Sequence, residues 1–156
     1  MLLTFNVGEE GEEGEDAAIS MEPLITGATN DYSPRISPDG RWLAYISFKT
    51  GTQQIYVRRF PEGEEMIVST GFRAIEPQWS GDGTELFFMQ ADENGGEFSI
   101  TAVEVAEEGG MLSISQPVAL FSQAMRNNNG VLESYLLVGN AGTALGILPD
   151  GRFLMA

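Results

Sequence analysis

Twenty-three carboxylates, with no histidine and no cysteine, set the chemistry open to this chain. Without imidazole or thiol, Ser-His-Asp and Cys-His nucleophilic sites are excluded, as are the usual zinc, copper and non-haem iron sites. Catalysis would have to run on carboxylates, tyrosine or lysine. Two acids facing each other across a cleft could hydrolyse a glycoside. The acids here fall instead into three runs, Glu9–Asp16, Asp92–Glu97 and Glu104–Glu108, which read as solvated hairpin tips. The run "GEEGEEGED" would at most hold calcium weakly. The expectation is no enzyme, no metal and no cofactor. "VGNAGTALG" (Val138–Gly146) is glycine-rich, but a dinucleotide fingerprint needs a strand before it and a helix after it, and here a strand and a "PDG" turn follow.

Four residues are suited to recognition of a ligand or partner. Arg35 and Gln78 stand just before Ile36 and Trp79 at equivalent positions of a repeat, and Arg58 and Arg59 form an adjacent basic pair in an acidic chain. For each the competing role is a salt bridge or hydrogen bond between neighbouring structural units. The net charge of −15 is unevenly spread: residues 1–30 hold seven acids and no Lys or Arg, residues 31–80 six of each sign, residues 81–156 ten acids and two bases. Nucleic acid is bound by clustered Lys and Arg, so this balance argues against it and against docking on anionic membrane. No apolar run approaches the ~20 residues that span a bilayer. "MLLTFNVGEEGEEGED" has neither the basic n-region nor the apolar h-region of a signal peptide.

The elements that would position these residues come from a repeat. "ISPDGRWLAYIS" (Ile36–Ser47) is nearly rewritten as "WSGDGTELFFMQ" (Trp79–Gln90) and again as "ILPDGRFLMA" (Ile147–Ala156). Gly40, Gly83 and Gly151 align at spacings of 43 and 68 residues; a period near 43 suits one four-stranded propeller blade. In each turn an Asp (Asp39, Asp82, Asp150) can accept a backbone N–H two residues on, and the following Gly tolerates φ > 0. Pro38 and Pro149 preset φ at the first corner. These residues read as structural turns, because one Asp per hairpin does not make a calcium loop.

No segment shows a capped helical period, so the expected fold is all-β. A first blade (31–70) has strands Tyr32–Ser37, Arg41–Phe48, Gln53–Phe60 and Glu65–Thr70. A second (73–122) has Ile75–Ser80, Glu85–Ala91, Phe98–Ala106 and Pro117–Ser122, with "EEGGMLSIS" as a long acidic link. The strand after the first turn is apolar on both faces, Trp42, Ala44 and Ile46 against Leu43 and Tyr45, which suits a blade packed between two others. Residues 123–142 form an insertion with one extra strand, Ser134–Val138. Residues 143–156 supply the first two strands of a further blade, and residues 1–26 the third and fourth (Leu2–Val7 and Ala18–Thr26). Closed propellers have 4–8 blades. Two readings therefore stand: a portion of a longer propeller, or a homodimer whose exchanged halves complete a six-bladed ring.

The motifs Ser37–Tyr45, Ile55–Pro61, Pro77–Phe88, Ala119–Phe121 and Pro149–Leu154 resemble, in order, the TolB-type β-propeller repeat, in the form attached to bacterial receptor Ser/Thr kinases. The resemblance implies a WD-like, extracytoplasmic propeller that acts as a sensor domain or protein-binding platform. It departs in having few blades and no kinase motifs. An alternative is the propeller of a serine peptidase gating a separate hydrolase domain.

Overall fold

The computed structural model describes residues 3–6, 20–23, 30–93, 97–109, 111–124, 145–147 and 153–155. The turn Pro149–Gly151, the strand expected at Ser134–Val138, the loop Glu9–Asp16 and the segment "VGNAGTA" lie outside them. Every described element is a strand, so the all-β expectation holds.

β3 (Asp31–Ile36), β4 (Trp42–Ser47), β5 (Gln54–Arg59) and β6 (Glu65–Ile67) form one antiparallel sheet in that order. β7 (Arg73–Trp79), β8 (Glu85–Ala91) and β9 (Glu97–Glu108) begin a second. β9 is long enough to pair on its outer edge with two strands in succession. β11 (Val118–Ala124) takes Glu97–Ala102, and β10 (Met111–Ile114) takes Val105–Glu108. The acidic link "EEGGMLSIS" is therefore largely a hairpin rather than a loop: Gly109, at φ 60°, turns the chain, and Met111–Ile114 pairs back. Charge and glycines at the tip concealed the alternation that follows. β1 (Leu3–Asn6) pairs antiparallel with β2 (Ser20–Pro23), and β12 (Leu145–Ile147) with β13 (Phe153–Met155).

All six residues of β4 are buried. Trp42, Ala44 and Ile46 join the large core shared with Leu86, Phe88 and Val103, whereas Leu43 and Tyr45 join Tyr56 and Phe60 in a second cluster. The two apolar faces read from the sequence are thus two packed faces, the arrangement a blade needs. Burying a large apolar side chain contributes about 1.5–3 kcal/mol, so the shared core is what joins the blades. Polar contacts fix the crossover between them. The Gln54 amide Nε2 donates to the carbonyls of Gly71 (3.1 Å) and Phe72 (3.3 Å), Ala74 N–H donates to Gln53 O at 2.8 Å, and Thr70 N–H donates to Gln90 Oε1 at 3.0 Å.

Candidate functional site

The repeated turns are built alike. In the first, Gly40 (φ 73°) donates its N–H to Ser37 O at 2.9 Å, and Asp39 Oδ1 accepts the Ser37 hydroxyl (2.6 Å) and the Arg41 N–H (3.0 Å). In the second, Gly83 (φ 75°) donates to Ser80 O at 3.0 Å, and Asp82 Oδ1 accepts the Ser80 hydroxyl (2.6 Å) and the Thr84 N–H (3.1 Å). Each serine Oγ also accepts the N–H that starts the next strand, Trp42 or Glu85, at 2.9 Å. The serine hydroxyls, followed by the amides, hold Asp39 and Asp82 at a pKa of about 2. These carboxylates are committed to their own turns. The turns also lie side by side, since a Cβ on Gly83 would sit 3.2 Å from Pro38 Cδ.

A second repeated feature escaped the sequence reading. Ser33 and Glu76, neither of them glycine, have φ of 53° and 55°. The pairing of β3 with β4 shifts register between Tyr32 and Arg35, and that of β7 with β8 between Ile75 and Gln78. Each strained residue precedes a proline, Pro34 or Pro77, which has no N–H to give the ladder, so the strand bulges there. Left-handed φ at non-glycine residues costs roughly 1–3 kcal/mol and persists only where surrounding structure enforces it. The signal was present as "SPR" and "EPQ", 43 residues apart.

These bulges set the residues that follow. β3 lies beside β7, and the Trp79 indole Nε1–H donates to the backbone carbonyl of Arg35 at 2.9 Å. Arg35 and Gln78 thus lie on adjacent strands immediately after the two bulges, both partly exposed, next to Ile36, which is 51% exposed. The Arg35 guanidinium donates to Pro34 O at 3.0 Å. Arg58 and Arg59 stand apart from this pair on β5. Arg58 Nη2 donates to Pro61 O at 2.8 Å, while Arg59 Nη1 lies 3.2 Å from Glu107 of the next blade. Arg41 Nη1 reaches the other oxygen of Glu107 at 3.0 Å, so one carboxylate on β9 ties two arginines of the first blade to the second.

One further cluster holds ionisable groups. The Tyr45 hydroxyl donates to Glu65, whose Oε1 lies 2.6 Å from Lys49 Nζ; that ammonium also sits 5.4 and 5.0 Å from the ring centroids of Tyr45 and Tyr56. Burial, then the hydrogen bond to Glu65, pushes the Tyr45 phenol well above its ordinary range. It stays protonated at neutral pH and cannot act as a base there. The cluster ties β4 to β6. Among the described residues no group of three or more His, Cys, Asp or Glu is placed to hold a metal ion.

Antiparallel sheets of four and five strands joined through a common apolar core are propeller-blade architecture. No family model matches the chain. Over 66 residues, 42% of the chain, it is 38% identical to the Tol-Pal system protein TolB of Xanthomonas campestris pv. campestris (strain B100). The same identity over the same length is found with TolB of Xanthomonas oryzae pv. oryzae (strain PXO99A). The match spans 13% of the length of these relatives. The crystal structure of TolB from Acinetobacter baumannii aligns with a TM-score of 0.47 at 15% identity, covering 87% of this chain and 40% of that one.

Proposed function

We propose that this chain is a non-catalytic β-propeller interaction module that recognises a protein partner through the adjoining first strands of its two blades, β3 and β7. The observation that carries the reading is the duplicated strained bulge, Ser33-Pro34 and Glu76-Pro77, which sets Arg35 and Gln78 on neighbouring strands beside the exposed Ile36. The prolines and the flanking strands hold this strain in place, and strain so held is concentrated at binding and active sites. The named relatives belong to the Tol-Pal system, so a component of that system is the partner class to test first. By the same resemblance the module acts outside the cytoplasm. Arg58 and Arg59 are assigned a secondary role, because Arg59 is engaged with Glu107.

The test is biolayer interferometry of the immobilised chain against purified Tol-Pal components, with an Arg35→Ala/Gln78→Ala variant alongside. Recognition through this surface predicts binding that weakens about tenfold or more in the variant, corresponding to about 1.4 kcal/mol or more, with the melting temperature unchanged. Binding that ignores both substitutions would place the partner elsewhere on the molecule. The two-stranded sheets β1–β2 and β12–β13 are marginal by themselves. Strands from a second copy, or from further blades, would complete them; light scattering across a concentration series separates the two.

A further inference from the structure

The outer edge of the second blade is guarded by a bulge but not by charge, proline or brevity. β11 pairs with β9 from Val118 opposite Ala102 to Ala124 opposite Glu97, and no other described strand pairs with it. Exposed edges are commonly guarded by charge, proline or brevity. β11 is seven residues long, "VALFSQA", without a charge or a proline, whereas the corresponding β6 of the first blade is three residues and opens on Glu65. Val118 is 57% exposed and Leu120 46%. The register shift between Ala119 and Phe121 leaves Leu120 with no opposite residue on β9. Such a bulge bends the edge and interrupts pairing there, so a strand added to β11 pairs only in short runs.

Charge narrows the occupant further. Between Arg73 and Arg126 the sequence has nine acids and no Lys or Arg. Two exposed acids of β9 lie on opposite faces of the sheet: Glu104 on the face of Ala102, which pairs with Val118, and Glu97, which pairs with Ala124, on the other. An acidic partner, or a second copy carrying −15, would meet like charge here. We infer that the outer edge of β11 binds an extended, basic segment of a partner protein by strand addition, with apolar side chains against Val118 and Leu120 on one face and Lys or Arg near Glu97 on the other. Main-chain hydrogen bonds would supply affinity, and the charge at Glu97 the choice of partner. This surface is separate from β3 and β7 and does not depend on the reading proposed for them.

The probe is a fluorescein-labelled octapeptide of alternating valine and lysine, titrated with the whole chain and followed by anisotropy, against its valine–glutamate counterpart. The lysine peptide is expected to bind at least about tenfold more tightly, and to weaken severalfold as salt rises from about 50 to about 300 mM. A Val118→Ser/Leu120→Ser variant, uncharged and altered only at exposed positions, should lose about tenfold or more. Glu97→Gln should lose more affinity than Glu104→Gln or the control Glu62→Gln. Equal losses in the three glutamine variants, or indifference to the serine substitutions, would overturn the proposal in favour of general attraction to an acidic protein. A concentration-dependent doubling of mass that disappears in the serine variant would overturn it in favour of a second copy.

Discussion

Substituting Ser37 and Ser80 separately by alanine asks one chemical question in two environments. Each Oγ accepts the N–H that starts the following strand at 2.9 Å and donates to its turn aspartate at 2.6 Å, so the bonds lost are the same. Burial differs. Ser37 and Trp42 are each 3% exposed, while Ser80 and Glu85 are only partly buried. Removing the acceptor from a buried N–H leaves a desolvation cost of about 1–3 kcal/mol, whereas water can replace it at a partly exposed one and the cost falls to about 0.5–1 kcal/mol. For a chain of this size each kcal/mol shifts the melting temperature by about 2–4 °C. Ser37→Ala should therefore lower it by about 2–12 °C and Ser80→Ala by about 1–4 °C, the first by more than the second. Thermal melts followed by tryptophan fluorescence measure both. Equal shifts, or a larger one for Ser80→Ala, would refute the argument that burial at the first turn, not the motif itself, sets its contribution.

Asp39 and Asp82 have pKa values lowered from 3.8 to about 2, so their stabilising contribution is present above about pH 4 and lost as pH falls toward 2. The urea midpoint should fall across that window, and an Asp39→Asn/Asp82→Asn variant should show a flatter profile. Gly83→Ala should cost more than Gly40→Ala on chemical denaturation: both need left-handed φ, at about 1–2 kcal/mol, but only the Gly83 Cβ meets a neighbour, Pro38 Cδ at 3.2 Å. Phe88→Ala empties a fully buried site in the core shared by the blades and should cost about 3–5 kcal/mol; a loss under about 1 kcal/mol would mean that the blades do not share that core. Glu107→Gln weakens two exposed inter-blade ion pairs, so its effect in low salt should be at most about 1 kcal/mol and should fade in high salt.

What was legible in the sequence follows from local physics. The hairpins of β3–β4 and β7–β8 could be read because Asp-Gly turn chemistry is written in consecutive residues, and the burial of β4 because apolar residues occupy both of its faces. β10 was not legible: the acidic and glycine residues before Met111 obscured four residues whose strand state depends on the unusual length of β9. The bulges at Ser33 and Glu76 were half legible. The prolines announce broken pairing, but left-handed φ at serine and glutamate arises only when the flanking strands are held on both sides. The pairing of Arg41 and Arg59 with Glu107 joins residues 66 and 48 positions apart, and no local pattern encodes it. Arg35 and Gln78 were found as equivalents in a repeat; their placement on adjacent strands, through the Trp79 indole, came from the structure.

If the adjoining first strands of the two blades, β3 and β7, form the recognition surface, residues after their bulges meet the partner. Amide hydrogen exchange of the chain, free and with a Tol-Pal component bound, tests it most directly. Recognition through this surface predicts slowed exchange at residues 33–36 and 76–79 on binding, with the core strands β4 and β8 unchanged. Protection confined to other segments, with those residues unaffected, would contradict it.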